Sequence, residues 1–216
     1  QRMERAGQAV DAARLFYFQR AGAFHDVIDS SVYFGDPALR LRLPEAQLSG
    51  STLEASRAWA PPGQPITFTA TLSSTAALSA TAVLTLTLPA GLDAPTALSA
   101  SSASALYDPA RHEITWSGAL LSGGSEWVRF TSALAPDAVA CSLATVEGQA
   151  RDGFYSVTPL AVTVQPALPD VNCDGRVDIV DIQQVTAAWG AAQGDPAYHP
   201  RYDLNGDDQI DLLDVV

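Results

Sequence analysis

Apolar and polar residues alternate strictly in Ile66-Thr67-Phe68-Thr69-Ala70-Thr71-Leu72 and again in Leu84-Thr85-Leu86-Thr87-Leu88. A period of two puts every second side chain on the same face, so each run predicts a strand with one buried and one wetted side. Weaker patterns predict further strands at Glu113–Trp116, Trp127–Leu134, Val139–Val146 and Val157–Val164. The separators are turn chemistry: Pro61-Pro62-Gly63, Pro89-Ala90-Gly91, Ser122-Gly123-Gly124 and Asp152-Gly153. About seven short strands in this stretch predict a mainly β fold, an immunoglobulin-like sandwich spanning residues 45–166. The Ser/Thr/Ala-rich run Ala97–Ala105 reads as a loop or an irregular edge.

The flanks follow other periods. Met3, Ala6, Val10, Ala13 and Tyr17 recur at three- and four-residue spacing and predict an amphipathic helix, while Leu39, Leu41 and Leu43 alternate with Arg40 and Arg42 as a strand. One helix and one strand cannot close a core, so residues 1–44 read as a helix-strand remnant of an upstream domain. At the other end, Ala167-Leu168-Pro169 is a short proline-containing linker into residues 167–216. Such a linker holds its two flanking units near one another.

Charge singles out that last segment. The chain of 216 residues carries twelve Arg, no Lys and 24 acids, a net charge of −12, and only 17% of its residues are charged. An apolar content of 47% excludes global disorder. No apolar run reaches the 18 or so residues that a membrane span requires. The acidic balance repels nucleic-acid phosphates and anionic lipid, which excludes nucleic-acid binding. From Leu168 to Val216 there are ten Asp, no Glu and two Arg, a net of −8, whereas the preceding residues hold only −4. Acids gathered at regular spacing in a short tail point to a cation site.

The spacing is explicit. Residues 170–181 read D-V-N-C-D-G-R-V-D-I-V-D and residues 203–214 read D-L-N-G-D-D-Q-I-D-L-L-D, with five identical polar positions. In the first loop the oxygen donors are Asp170, Asn172, Asp174, the Arg176 carbonyl, Asp178 and Asp181. In the second they are Asp203, Asn205, Asp207, the Gln209 carbonyl, Asp211 and Asp214. This is EF-hand loop logic, in which alternate donors wrap one hard cation and the last carboxylate sits on the following helix. Calcium fits best, one ion per loop, because it accepts six to eight oxygens at flexible geometry. Two departures stand out: Asp replaces the usual bidentate Glu at each last position, and Asp208 takes the place that Gly175 holds in the first loop. Val177 and Ile210 are expected to pair back to back, and the helix after the first loop to present Ile182, Val185 and Trp189 on one face before stopping at Gly190.

Two such loops with Asp at their ends, joined by a helix and a linker, resemble a type I dockerin over residues 170–216. The resemblance implies calcium-dependent folding and docking onto a cohesin-like partner. It also implies that partner contacts lie beside the last ligands, at Ile179 and Val180 in the first copy and Leu212 and Leu213 in the second. Apolar residues stand there in place of the family's usual Ser/Thr pair, and the second helix is expected to be cut off after Val216. Thr85–Leu92, together with Ile114-Thr115-Trp116-Ser117-Gly118, resembles bacterial conserved-repeat immunoglobulin-like domains of secreted proteins. Tyr33-Phe34-Gly35-Asp36-Pro37-Ala38-Leu39-Arg40-Leu41 resembles the end of a gingipain-like cysteine peptidase domain, which implies a catalytic part upstream.

No catalytic constellation is legible here. A cysteine nucleophile needs a histidine in reach. Cys141 falls in a predicted strand and reads as a small buried hydrophobe, Cys173 lies inside the first loop facing outward, and His25, His112 and His199 are scattered. A bridge between the two cysteines is left to geometry. Trp116 and Trp127 read as core residues and Trp59 as packing at the domain edge. No signal peptide is visible, and a start at Gln1 reads as a fragment. The expectation is a non-catalytic, extracellular, calcium-stabilised docking or adhesion segment. The alternative is a self-assembling subunit of a fibre or surface layer, whose partners are copies of itself.

Overall fold

In the computed structural model the described residues are 48–75, 80–152 and 157–215. The predicted helix near the N-terminus, the Leu39–Leu43 strand and the peptidase-like stretch lie outside them. Ten strands form two sheets among these residues: β1 (Thr52–Ala55), β2 (Trp59–Ala60), β3 (Pro65–Ser73), β4 (Ala80–Thr87), β5 (Thr96–Ala100), β6 (Leu106–Asp108), β7 (Glu113–Leu120), β8 (Ser125–Ala133), β9 (Ala144–Asp152) and β10 (Val157–Pro166). One sheet has the order β1-β3-β8-β5 and the other β2-β10-β9-β4-β7-β6. The pairings are antiparallel except for β2 with β10. The mainly β, immunoglobulin-like sandwich expected from the alternation is the observed architecture.

The core lies between the sheets. Ile66, Phe68, Ala70 and Leu72 of β3 and Val128 and Phe130 of β8 face Leu84, Leu86, Ile114, Trp116, Val146 and Val164 of the opposite sheet, all essentially inaccessible. Phe68 is directly opposite Phe130 in the ladder, and their rings stack with centroids 4.9 Å apart. Such a cross-strand aromatic pair adds about 0.5–1.5 kcal/mol beyond its area. Trp116 is buried, and its indole N–H donates to the Ser102 carbonyl at 2.7 Å.

Two expectations change. Trp127 is not a core residue: with Val128 and Phe130 turned inward, the pleat turns Trp127 outward, where the Arg129 guanidinium lies 5.1 Å from its ring centroid. The strand predicted at Val139–Val146 begins only at Ala144, because Cys141 holds φ +62° and Val139 and Leu143 are exposed in a turn. The stretch from Ala97 begins as the irregular edge expected of it, within β5, with a register shift against β8.

After β10 the chain stays strapped to β2, since the Ala167 N–H donates to the Ala60 carbonyl at 2.9 Å. It then enters a second small core of Val171, Val185, Ala188, Ala191 and Ile210, with Tyr198, Tyr202, Leu204 and Val215 around it. One helix serves this core, α1 (Ile179–Ala187), and a short 3-10 turn spans Leu212–Asp214. Residues 46–216 fall in one compact unit.

Candidate metal centre

Each acidic loop closes on itself through its own side chains. In the first, the Asp170 carboxylate accepts from the Asp174 and Gly175 amides at 3.2 and 3.0 Å, Asn172 Oδ1 accepts from the Asp174 amide at 2.8 Å, and Asp174 accepts from the Arg176 amide at 2.9 Å. The second repeats the pattern: Asp203 accepts from the Asp207 and Asp208 amides at 3.1 and 2.9 Å, Asn205 from the Asp207 amide at 2.9 Å, and Asp207 from the Gln209 amide at 3.0 Å. The side chains therefore bend the backbone locally, as Asp and Asn do in turns.

The last two carboxylates of each loop also start a helix. Asp178 caps α1 by accepting from the Val180 amide, while Asp181 reaches back to the Asp178 amide at 2.9 Å and also accepts from the Asn172 amide at 3.2 Å. Asp211 and Asp214 make the same reciprocal box, and Asp214 accepts from the Leu204 and Asn205 amides at 2.7 and 3.2 Å. Asp181 and Asp214 thus tie the end of each loop to its beginning. The Asp178 amide, followed by lesser amide contacts, holds the Asp181 carboxyl below the usual carboxylate range against the opposing effect of burial.

Two loop positions have left-handed backbone in both copies. Cys173 and Gly206 take φ +64° and +74°, and Gly175 and Asp208 take +81° and +67°. Each loop therefore carries one glycine and one residue with a Cβ at these positions, in swapped order. The sequence pattern reveals the second pair only.

The first of these positions is also where both loops meet the sandwich. Cys173 is disulfide-bonded to Cys141, with Cα atoms 5.9 Å apart. Cys141 is therefore a half-buried bridge residue in a turn, not the buried strand hydrophobe expected. Gly206 instead receives Gln64, whose side-chain amide donates to its carbonyl at 3.1 Å, while Arg57 donates to Gln64 at 2.9 Å. A Cβ on Gly206 would lie 2.5 Å from the Gln64 amide group, so this contact requires glycine. Trp59 completes the seam, with His199 edge-on at 6.0 Å and the Arg201 guanidinium 5.3 Å from its centroid. Tyr198 donates its hydroxyl to Asp203 at 2.8 Å; burial, then this bond, raises the phenol well above its ordinary value. Sequence reading missed Gln64, Arg57 and Arg201 because nothing in local pattern reports a contact 142 residues away in the chain, and it missed Tyr198 although its partner Asp203 is only five residues on.

Two expected contacts are replaced. Ile210 is wholly buried, but Val177 is 64% exposed, so they do not pair. Ile210 is drawn into the second core by hydrogen bonds with Gly190 and Ala191, and Gln209 bridges Ala192. Of the helix's apolar residues only Val185 is buried; Ile182 is exposed, and Trp189 lies beyond the last turn with 54% of its surface open. Ile179, Val180, Leu212 and Leu213 are all exposed, at matching places after the two capping Asp residues. Leu213 joins Val177, Ile182, Leu168, Pro61 and Pro62 around an apolar groove of about 470 Å³.

The loop donors are oxygen-only and rich in carboxylate, which is the chemistry of a hard cation. Asp181, Asp203 and Asp214 are at most 4% exposed, yet no ion pair with an Arg or His among the described residues reaches them. Buried carboxylates without a cationic side chain are suited to a metal ion. As they stand, no three His, Cys, Asp or Glu side chains among the described residues converge closely enough to hold an ion unaided. Among the described residues both cysteines are in the bridge, His112 faces the Leu88 carbonyl at 3.0 Å, and His199 packs on Trp59.

Residues 168–216 match the family model described as Dockerin type I domain. No curated protein matches the chain. Among solved structures, the N-terminal domain of the adhesin Sgo0707 from Streptococcus gordonii is 13% identical with a TM-score of 0.45, covering 57% of this chain and 33% of that one. A cohesin module of a family 33 glycoside hydrolase from Clostridium perfringens is 8% identical with a TM-score of 0.40, covering 54% and 96%. A collagen-binding domain from a Staphylococcus aureus adhesin is 9% identical with a TM-score of 0.35, covering 53% and 96%. No helix among the described residues is long and apolar enough to cross a membrane.

Proposed function

We propose that residues 168–216 are a calcium-dependent docking module, carried on an immunoglobulin-like sandwich, that attaches a secreted multidomain protein to a cohesin-like partner on a scaffold or cell surface. The observation that carries this reading is the repetition of one hydrogen-bond ladder around two oxygen-donor loops, each followed by two exposed apolar residues. Asp170, Asn172, Asp174, the Arg176 carbonyl, Asp178 and Asp181 would hold one ion; Asp203, Asn205, Asp207, the Gln209 carbonyl, Asp211 and Asp214 would hold the other. Two ions add four positive charges to a tail that carries −8, which removes much of the self-repulsion opposing its compact form. Calcium sites of extracellular modules reach dissociation constants as weak as about 10⁻⁴–10⁻³ M, so ambient extracellular calcium suffices. A disulfide supports the same compartment, since such bridges persist in oxidising surroundings.

Ile179, Val180, Leu212 and Leu213 would form the contact surface, read by an apolar patch on the partner. The chain's own part is attachment, and catalysis belongs to whatever it is joined to. The test is a calcium titration of the full chain by calorimetry, before and after Asp170→Ala and Asp203→Ala are combined. Two ions bound by the parent and none by the double variant are expected, with the sandwich still folded. An unchanged titration in the double variant would refute the site. Sedimentation with calcium and with chelator then identifies the partner class. A monomer in both states supports a foreign partner, whereas calcium-dependent growth into large species would replace it by copies of this chain.

A further inference from the structure

We infer that the Cys141–Cys173 bridge is a thiol-exchangeable latch that holds the first loop in its ion-binding form; the inference rests on the reading of that loop as a calcium site. Cys173 lies between the donors Asn172 and Asp174 and has a left-handed backbone at φ +64°. The equivalent position of the second loop is Gly206 at +74°, so the loop itself demands this conformation. Glycine enters it freely; a residue with a Cβ enters it at a cost and relaxes when released. In the first loop the bridge adds a covalent restraint to the hydrogen bonds from the Asp174 amide to Asn172 and Asp170. Its other end is anchored in a turn closed by the Ser142 amide and the Val139 carbonyl at 3.1 Å, immediately before β9, which is paired on both sides by β4 and β10.

The bridge is open to attack. Cys173 is exposed and Cys141 half-buried. Arg201 Nη2 lies 3.2 Å from Cys141 Sγ and also contacts Cys173 Sγ. A guanidinium beside the bridge stabilises the negative charge that develops on a departing sulfur. A thiolate of an external dithiol attacks Cys173 Sγ; the Cys141–Cys173 bond breaks as the mixed disulfide forms, and Cys141 departs as a thiolate facing Arg201. The second sulfur of the dithiol then displaces Cys173. The dithiol is oxidised to its disulfide, and the protein's cystine gains two electrons and two protons. With Cys173 free, residues 172–174 leave the left-handed turn and Asn172 and Asp174 lose their alignment. The second loop, held through Gln64 instead, keeps its site.

The test compares calcium titrations of the full chain, oxidised and after dithiothreitol, with mass spectrometry verifying the gain of two hydrogen atoms. The oxidised chain is expected to show two sites, and the reduced chain one unchanged site and one weaker by about tenfold or more. By reciprocity, saturating calcium must shift the protein's disulfide–dithiol equilibrium by the same factor towards the bridge, a readout independent of docking. Cys141→Ser combined with Cys173→Ser should reproduce the reduced titration, and Arg201→Gln should slow reduction several-fold with the bridge intact. Two unaltered sites after verified reduction would overturn the latch and leave the calcium reading standing. No binding in either state would overturn both. Loss of the sandwich's folded signal on reduction would also overturn it, by making the bridge a staple of the whole unit.

Discussion

Replacing Asp208 by glycine should strengthen the second loop, although it removes an acid from a cation-binding segment. Asp208 has φ +67°, where the first loop has Gly175 at +81°. A Cβ in that region costs about 1–2 kcal/mol, with Asp at the low end because it tolerates the conformation better than most residues. Glycine gives back about 0.5–1 kcal/mol through its greater freedom in the unfolded chain. The side chain itself offers little compensation, since its carboxylate accepts only a long hydrogen bond, 3.4 Å, from Gln193 at the surface. Its backbone contacts, the amide to Asp203 at 2.9 Å and the carbonyl from the Gln193 amide at 2.9 Å, survive the change. The net is at most about 0.5 kcal/mol in favour of glycine, or up to about twofold. Charge must be separated from strain, so Asp208→Asn is the reference: it loses the charge and keeps the Cβ. Where loop folding and ion binding are one event, the gain is read as affinity; where the loop is formed beforehand, as stability. Calorimetric calcium titration and urea denaturation in chelator should together show Asp208→Gly ahead of Asp208→Asn by that amount. Equality in both assays would refute the argument that this backbone is strained.

Gly118→Ala should destabilise the sandwich by about 1–3 kcal/mol by urea unfolding, the reverse of the usual gain from removing a strand glycine, because its Cβ would meet the Trp116 ring at 2.5 Å while that ring is pinned to Ser102. A neutral result would show that the indole swings aside freely. Gln64→Ala removes its bonds to Gly206 and Arg57, about 0.5–1.5 kcal/mol each, and should speed hydrogen exchange at the Asp207 and Asp208 amides but not at Gly175. A uniform change across both loops would contradict separate anchoring. Glu126 accepts from Ser101 and, at 2.6 Å, from Ser102, which hold its carboxyl below the usual carboxylate range. A lowered folded value stabilises above the unfolded value and fades as pH falls through the folded one. Ser101→Ala with Ser102→Ala should raise the Glu126 midpoint to the ordinary range in an NMR titration; an unmoved midpoint would discard the hydroxyls as the cause.

What was legible in the sequence follows from range. Ile66–Leu72 and Leu84–Leu88 declare their faces within a few residues, and the sandwich emerged from them. The loops were legible for the same reason: Asp and Asn at alternate positions bend their own backbone, so the donor order and the turn at Gly175 are local facts. Trp127 failed because hydrophobicity was read without phase, although Val128 and Phe130 fix the inward face. Cys141 failed because apolar neighbours suggested a strand where the bridge enforces a turn. Val177 and Ile210 occupy equal places in two copies, but equal sequence positions do not impose equal surroundings. The segment after α1 reaches only the second, and burial followed.

The seam assigns different work to different loop positions. In both copies the left-handed residue after the Asn faces the sandwich, by a covalent bond in one and through Gln64 in the other. The apolar residues after the capping Asp remain exposed. Attachment therefore uses none of the candidate contact surface. It also lowers the entropy that the module would lose on docking, because a tail already fixed at two points has little rigid-body freedom left to surrender. A flexible linker would give reach; two anchors and a strapped linker give orientation. A partner bound at Ile179, Val180, Leu212 and Leu213 would then inherit the direction of the sandwich. Cutting either anchor should loosen that direction before it abolishes binding.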